Sequence, residues 1–400
     1  MPLHRLLPVA ALALLAAPAF AQNVPTRTLN RPEVEYSEPF TSITGVRELR
    51  DGRVIVADPR DKTVQVLDLR AGSGQVLGRE GSGPGEYGMP FRVLPMAGDT
   101  TGIADMLNNR ILMITPQGRV GGFVDLNVPS EGGRGARGMV MVGNNMPSMS
   151  DARGRMYMQG APFAFVNGRP EPADSVPLIR WDRTTNKRDT LAFLKLPQNS
   201  SSISGGRGNV SIRIGGGAPF RGADQITVAP DGRVAIIRAD PYSVTYVSET
   251  GQRTNGQPIR YDRVRVTEGH RQEWREAQKG ASRMMMTNDN GRRSATVAPN
   301  TDVQDPEDWG DDFMPPFLGG AVNPVMFAQD GHLWVRRTGP AGQPPTYDII
   351  DRAGNLAMKV VLPQRSRLVG FGNGTVYTIR LDEDDLQYLQ RHRFAMPERP

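Results

Sequence analysis

The stretch Asp51-Gly52-Arg53-Val54-Ile55-Val56-Ala57-Asp58, followed by Val64-Gln65-Val66-Leu67-Asp68, decides the fold. Asp-Gly is a strong signal for a tight hairpin turn, and the β-branched residues that follow it favour strands. The stretch therefore predicts a turn, a strand, a second turn and another strand. Because the pattern returns along the chain, it predicts an architecture of repeated units.

The turn recurs in six places. An apolar segment precedes each copy and a β-rich segment follows it, as at 226–229 and 234–237 around the fourth turn. Each unit has material for about four antiparallel strands, the size of one propeller blade. The sequence thus predicts an all-β fold, a six-bladed β-propeller. The six turns are Asp51-Gly52, Gly98-Asp99, Arg153-Gly154, Asp231-Gly232, Asp330-Gly331 and Asn373-Gly374.

The sixth unit lacks one strand. It has material for three strands, at 368–371, 375–380 and 386–394. The segment Val34-Glu35-Tyr36-Ser37-Glu38-Pro39-Phe40 precedes the first unit and belongs to no repeat. We expect it to pair with the last blade, because this pairing closes the ring and removes exposed strand edges.

Residues 1–21 have the pattern of an export signal. His4 and Arg5 form a positive start, residues 6–17 are an apolar run, and Ala19-Phe20-Ala21 is a small-residue cleavage site. We expect a signal peptide over 1–21, a propeller over 22–400, and a periplasmic or secreted protein. A short membrane anchor is the alternative. No later apolar stretch reaches spanning length, so no membrane span is expected.

Composition restricts the function classes. The chain has no Cys, so disulfides and thiolate metal sites are excluded. The formal charge is +6, and most of the positive residues are Arg, which favours bidentate pairing with carboxylate or phosphate. A solvated basic surface is the plainer interpretation. Export argues against a nucleic-acid partner.

Three stretches interrupt the repeat: 125–149, 197–224 and about 258–320. The first has glycines 133, 135 and 138 in G-x-G-x-x-G spacing, but no βαβ context surrounds them, so we expect a loop and no dinucleotide site. The second is expected to be a long loop with a strand at 210–214. The third predicts a helical insertion between blades 4 and 5.

The helix of the third insertion is predicted to begin after Thr267. Trp274, Ala277, Ala281 and Met284 follow at helical spacing, and we expect this stripe to pack on the propeller. An acidic run comes next, and its spacing is not that of a Ca²⁺ loop. A solvated loop or a counter-charge for nearby Arg is favoured over a metal site. The run contains Asp302, Asp305, Glu307, Asp308, Asp311 and Asp312.

Residues 43–124 resemble the NHL repeat. Gly78-Arg79-Glu80-Gly81-Ser82-Gly83-Pro84-Gly85-Glu86-Tyr87, then Pro90, then Ala104-Asp105-Met106-Leu107-Asn108-Asn109-Arg110-Ile111 match its Gly-rich linker, Ala-Asp turn and Asn-Asn-Arg element. The later part, with Trp334-Val335-Arg336-Arg337, resembles exported bacterial six-bladed propellers of undefined function. The resemblance implies a six-bladed propeller. Members of this fold include binding modules, lactonases and lyases, so it does not select a function.

Catalytic motifs are sparse. After the signal segment the chain has three His, at 270, 332 and 392, which do not support a multi-His zinc site. No G-x-S-x-G elbow and no Walker loop occurs. Calcium-dependent lactonases of this fold use carboxylates and Asn that line the channel, so Ca²⁺ remains the one open cofactor. Two functions remain: a monomeric, non-catalytic binding or scaffold protein, or a metal-assisted hydrolase or lactonase with its site in the channel.

The repeat also predicts a binding surface. Counting seven residues on from the first residue of each turn gives the far end of each second strand. These residues should lie on the face opposite the Asp-Gly turns, where we also expect the long insertions. Arg336 and Asp240 lie beside these residues, and we expect an anionic small molecule or an acidic peptide or protein to bind there. In the alternative, the Asp residues cap their own turns and the Arg residues pair with the run from Asp302 to Asp312. The counted residues are Asp58, Asp105, Gly160, Arg238, Arg337 and Arg380.

Overall fold

The computed structural model describes residues 24–126, 146–160, 163–166, 169–195, 201–206, 209–214, 218–280, 282–289, 292–299, 302–318 and 324–396. The predicted signal peptide and the G-x-G-x-x-G glycines lie outside these ranges, and the domain boundary at residue 22 stays a prediction. The described strands form six sheets of four or five strands and four two-stranded sheets. The six larger sheets follow one another along the chain and are the blades of a β-propeller, as predicted.

Blades 1 to 3 each consist of four antiparallel strands in chain order. Blade 1 is Gly45–Glu48, Val54–Asp58, Thr63–Asp68 and Ser73–Val76; blade 2 is Pro90–Pro95, Thr101–Asp105, Arg110–Ile114 and Val120–Asp125; blade 3 is Met149–Ser150, Met156–Gln159, Ser175–Asp182 and Lys187–Lys195. The first strands of neighbouring blades contact one another, so they line the centre of the ring.

Blades 4 to 6 repeat the same arrangement. Blade 4 is Gln225–Val228, Val234–Ala239, Tyr242–Val247 and Arg253–Asn255; blade 5 is Val325–Phe327, Leu333–Arg337, Thr346–Ile350 and Leu356–Val361; blade 6 is Ser366–Gly372, Thr375–Leu381, Gln387–Arg393 and, from the N-terminal side of the chain, Val34–Glu35.

The hydrophobic core is divided among the six junctions between blades. Each of six buried clusters draws side chains from two neighbouring blades, including the junction of blade 6 with blade 1. In the second strand of blade 1, Val54 and Val56 face blade 6 while Ile55 faces blade 2. This alternation follows from the two-residue period of a strand, and it explains why the whole strand is apolar.

The predicted closure of the ring is confirmed. Val34 and Glu35 pair antiparallel with Arg391 and Gln390 of blade 6, and Phe40 forms a further bridge with Gln387. Tyr36 and Phe40 are buried in the cluster between blades 6 and 1. One strand was not expected: Thr26–Thr28 pairs in parallel with the outer strand of blade 5. The N-terminal segment therefore joins two blades.

The six predicted turns are present between first and second strands. Each of their glycines has a positive φ, from 66° to 87°, which L side chains rarely adopt, so Gly is required there. Because the strands are antiparallel, these turns lie at one end of the ring, called here the Asp-Gly face. The turns from second to third strands and the connections between blades lie at the other end, called the insertion face.

The described parts of the long insertions are on the insertion face, as predicted. Residues 126–148, 196–224 and 256–324 each connect the last strand of one blade to the first strand of the next. A hairpin, Phe163–Val166 with Arg169–Pro172, extends the second-to-third turn of blade 3 on the same face. The remaining short elements are the strands Arg79–Glu80 and Glu86–Tyr87 and the 3-10 helix Ala97–Asp99.

The predicted strand at 210–214 is part of a hairpin, Ser201–Gly206 with Asn209–Ile214. The helical insertion is confirmed as Glu268–Gly280, with the His270 N–H donating to the Thr267 carbonyl at its start. The prediction that the apolar stripe of this helix extends to Met284 is wrong. Met284 lies in a second hairpin, Ser282–Asp289 with Arg292–Pro299, because the helix ends at Gly280 and residues 288–291 (Asn-Asp-Asn-Gly) favour a turn.

Candidate functional site

The residues counted from the repeat lie where the sequence predicts. Asp58 and Asp105 end the second strands of blades 1 and 2. Arg238, Arg337 and Arg380 are the last or penultimate residues of the second strands of blades 4, 5 and 6. Gly160 directly follows the second strand of blade 3. Each blade thus contributes one of these residues to the insertion face.

The two aspartates are buried and bind backbone N–H groups. Asp58 Oδ1 accepts hydrogen bonds from the N–H groups of Arg60 and Asp61, at 2.9 and 3.1 Å, so it caps its own turn. Asp105 Oδ1 accepts from Gly88 and Met89, at 2.9 and 3.0 Å. Burial raises the pKa of Asp58, and the backbone hydrogen bonds oppose this shift. Both carboxylates hold the chain in place at the insertion face, and their ligand-binding role stays a prediction.

Arg238 and Arg380 each form an ion pair with a carboxylate at an edge of their own blade, the inner edge for Arg238 and the outer edge for Arg380. Arg238 donates to Asp224, which directly precedes the first strand of blade 4, at 2.5 Å. Arg380 donates from Nε and Nη2 to both oxygens of Glu35, at 2.9 and 2.8 Å. The second pair is the bidentate arrangement that Arg favours, and it fixes the N-terminal strand to blade 6.

Arg337 is held from two sides. Its Nε lies 3.4 Å from Asp348 Oδ2, and its Nη2 donates to the Arg260 carbonyl in the third insertion at 2.9 Å. Burial raises the pKa of Asp348, and the positive charge of Arg337 opposes this shift. Tyr242 also donates to Asp348, at 3.0 Å. The predicted pairing of the three arginines with the acidic run is therefore wrong.

The acidic run neutralises other arginines, within the insertions themselves. Arg275 of the helix donates to both oxygens of Asp305, at 2.7 and 2.8 Å, and Arg221 donates to Asp308 at 3.0 Å. The Trp309 ring stacks on Phe220 with 5.7 Å between centroids, and this contact joins the second insertion to the third. The interpretation of this run as a counter-charge for nearby Arg is confirmed.

Arg336 and Asp240 differ from the paired arginines. Both are exposed, and within the described part of the chain neither side chain has a hydrogen bond or an ion pair. Arg336 lies directly across the strand pair from Tyr347, on the side of blade 5 that faces blade 6. It thus presents an unneutralised positive charge on the insertion face.

One residue of this region was missed by the sequence reasoning. Arg367 is on the first strand of blade 6, and its Nη2 donates to two neutral oxygens, the Ile43 carbonyl at 2.9 Å and Gln387 Oε1 at 3.3 Å. Burial lowers the pKa of Arg367 to about 10, and the nearby positive charge of Arg336 contributes to this shift. No local motif marks Arg367, because its burial depends on blades that are distant in the sequence.

The acidic and histidine side chains of the described ranges are dispersed. In the described ranges, no three side chains of the types His, Asp and Glu come together in a group that could hold a metal ion. The three histidines are separate: His270 contacts the Gly339 carbonyl, His332 lies beside Asp330, and His392 contacts Thr378. The Ca²⁺ prediction stays a prediction.

The described part of the chain holds one α-helix of 13 residues and no helical segment with the length and hydropathy of a membrane span. No family model and no curated protein matches the sequence. The NHL resemblance of residues 43–124 therefore stays a prediction.

Several solved structures are similar to this chain at low sequence identity. A putative exported protein of Bacteroides fragilis is 9% identical with a TM-score of 0.46, over 93% of this chain and 99% of that one. A gluconolactonase of Xanthomonas campestris is 11% identical with a TM-score of 0.38, over 90% and 95% of the two chains. Virginiamycin B lyase of Staphylococcus aureus is 11% identical with a TM-score of 0.36, over 92% and 89%. Similarity this distant does not select an activity.

Proposed function

We propose that this protein is an exported, non-catalytic binding propeller that takes an anionic ligand, a small molecule or an acidic peptide, on its insertion face. The ligand lies at the ends of blades 4 to 6, where the second strands end in Arg. The proposed surface consists of Arg238, Asp240, Arg336, Arg337 and Arg380, together with Asp58 on blade 1 and Asp105 on blade 2.

The observation that supports the proposal is the free charge of Arg336. The neighbouring Arg337 has its counter-charge in Asp348, whereas the exposed Arg336 has no side-chain partner among the described residues. A ligand anion would gain a charge-assisted hydrogen bond there without breaking an ion pair of the protein. The insertions lie on the same face, so they can supply further contacts to a ligand larger than a single anionic group.

The test is a thermal-shift screen of the mature protein against anionic sugars and acidic peptides, each with a neutral analogue. A ligand that binds only the folded state raises the melting temperature. We expect anionic compounds to raise it and their neutral analogues to have no effect. Arg352 is exposed in the turn after the third strand of blade 5, and its Nη2 donates to the Asp330 carbonyl at 3.4 Å, so it lies on the Asp-Gly face. Arg336→Gln should weaken the response, whereas Arg352→Gln, which removes the same charge from the Asp-Gly face, should not. An equal response to charged and neutral compounds would refute the proposal.

The metal-assisted hydrolase or lactonase is the competing function, and metal content separates the two. Protein purified with and without chelator is analysed for bound metal. Stoichiometric Ca²⁺ that chelation removes, with loss of a lactone-hydrolysing activity, would replace the binding proposal with the enzymatic one. If anions still bind after the chelator has removed any metal, the result supports the non-catalytic binding function.

A further inference from the structure

The junction of blades 5 and 6 concentrates hydrogen-bond donors on the insertion face. Arg336 reaches this junction from the second strand of blade 5, and Arg367 reaches it from the first strand of blade 6. Tyr347 joins the two: it lies directly opposite Arg336 across the strand pair, and its hydroxyl accepts a hydrogen bond at 3.4 Å from the N–H of Leu368, the residue after Arg367. Two like charges on neighbouring blades repel each other unless an anion joins them.

The donors of this junction have few acceptors. Nη2 of Arg367 donates hydrogen bonds to two neutral oxygens, while its Nε and Nη1 have no partner among the described residues. The Tyr347 hydroxyl accepts a hydrogen bond from the Leu368 N–H at 3.4 Å, and no described group accepts its proton. Arg336 uses none of its five side-chain N–H groups within the described chain.

The two carboxylates nearest in the described strands bind other groups. Glu35, at the outer edge of blade 6, is held by Arg380 and also accepts from Gln390 at 2.6 Å. Asp348, beside Tyr347 in the third strand of blade 5, binds Arg337 and Tyr242. Glu35 is engaged, and Asp348 faces Tyr242 of blade 4, on the side of the strand opposite Tyr347. Among the described residues, no carboxylate is paired with Arg336 or Arg367. A partly buried cation without a counter-charge is costly, which favours its neutralisation from outside.

We infer that Arg336, Arg367 and the Tyr347 hydroxyl form a binding site for the oxyanion of the ligand, a carboxylate, sulfate or phosphate group, at the junction of blades 5 and 6. This inference rests on the proposed binding function and deepens it. The two guanidinium groups supply charge and paired N–H donors, and the phenol adds a neutral donor that fixes the orientation of the anion. A pKa of about 10 leaves Arg367 cationic at neutral pH.

The experiment is calorimetric titration of the mature protein with inorganic phosphate, sulfate and succinate, at constant ionic strength set with chloride. Arg336→Gln and Arg367→Gln are each expected to weaken binding about ten-fold, the scale of one lost charge-assisted contact. Arg352→Gln is the matched control, because it removes one positive charge from the opposite face, and it should bind like the unmodified protein. Whichever of phosphate, sulfate and succinate binds most tightly, the result supports the site and identifies the class of anion that it prefers.

Two outcomes would overturn the inference, and they differ in what they say about the proposed function. Equal affinity of the unmodified protein and both variants would show that the anion binds elsewhere, with the binding function intact. No binding of any of the three anions would show that the junction is no oxyanion site, and the function would then depend on the screen with larger ligands. Arg336→Gln also excludes a folding artefact: its exposed, unpaired side chain predicts an unchanged melting temperature in anion-free buffer, and a lower one would indicate a structural role instead.

Discussion

Phe40 offers a sharp test of how the ring is closed. The residue comes from the N-terminal segment, is 4% exposed, and packs in the cluster that joins blades 6 and 1. Its backbone exchanges two hydrogen bonds with Gln387, each of 2.8 Å, and these bonds do not depend on its side chain. Phe40→Ala therefore removes the packing between the blades and leaves the strand pairing in place.

The expected loss follows from the burial of the ring. Phe-to-Ala changes in well-packed cores cost about 3–5 kcal/mol. With an unfolding entropy of about 2.1 cal/mol/K per residue, a chain of this length should lose roughly 4–6 °C in melting temperature. The assay is equilibrium urea unfolding followed by tryptophan fluorescence, together with calorimetric melting of the same samples.

Phe193→Ala is the matched control. Phe193 is 62% exposed on the outer strand of blade 3, so the same chemical change should cost less than about 0.5 kcal/mol. If both variants lost the same free energy of unfolding, the N-terminal segment would not pack into the ring as described, and the account of closure would fail.

Three further predictions concern the N-terminus and pH. Deletion of residues 22–41 should lower the melting temperature by more than Phe40→Ala, because it also removes the paired strand; a deletion variant that melts like the mature protein would refute closure. Burial lowers the pKa of His392 below its ordinary 6.5. Its neutral form is therefore favoured in the folded state, its contribution to stability is complete above pH 6.5, and stability is lost as pH falls from 6.5 through the lowered value. His392→Gln should reduce the slope of urea stability against pH in that window, and an identical slope would contradict the assignment. The exported protein should have the intact mass of a chain that begins at Gln22; a mass that retains residues 1–21 would indicate an anchor.

The fold was predictable because its signals are local. Each of the six turns determines its own hairpin, and the β-branched residues Val54, Ile55 and Val56 after the first turn favour a strand. The unpaired last blade and the unassigned segment from Val34 also predicted their pairing. The parallel strand Thr26–Thr28 was not predictable, since three exposed polar residues have no pattern that distinguishes them from a loop.

The site was predictable in position but not in its partners. Register places Arg380 at the insertion face, but its partner Glu35 is 345 residues away in the sequence and joins it only when the ring closes. The acidic run offered nearer candidates for pairing, and these carboxylates neutralise Arg275 and Arg221 instead. Arg367 was missed for a related reason: its electrostatic environment is made by blades 5, 6 and 1 together.

The central claim is that an anionic ligand binds the insertion face at the junction of blades 5 and 6. The most direct test is diffraction from crystals of the mature protein soaked in selenate, an oxyanion with a strong anomalous signal. We predict an anomalous peak within hydrogen-bonding distance of the Arg367 guanidinium and the Tyr347 hydroxyl, with Arg336 turned towards it. A peak only on the Asp-Gly face, or the same peak in crystals of Arg367→Gln, would contradict the claim.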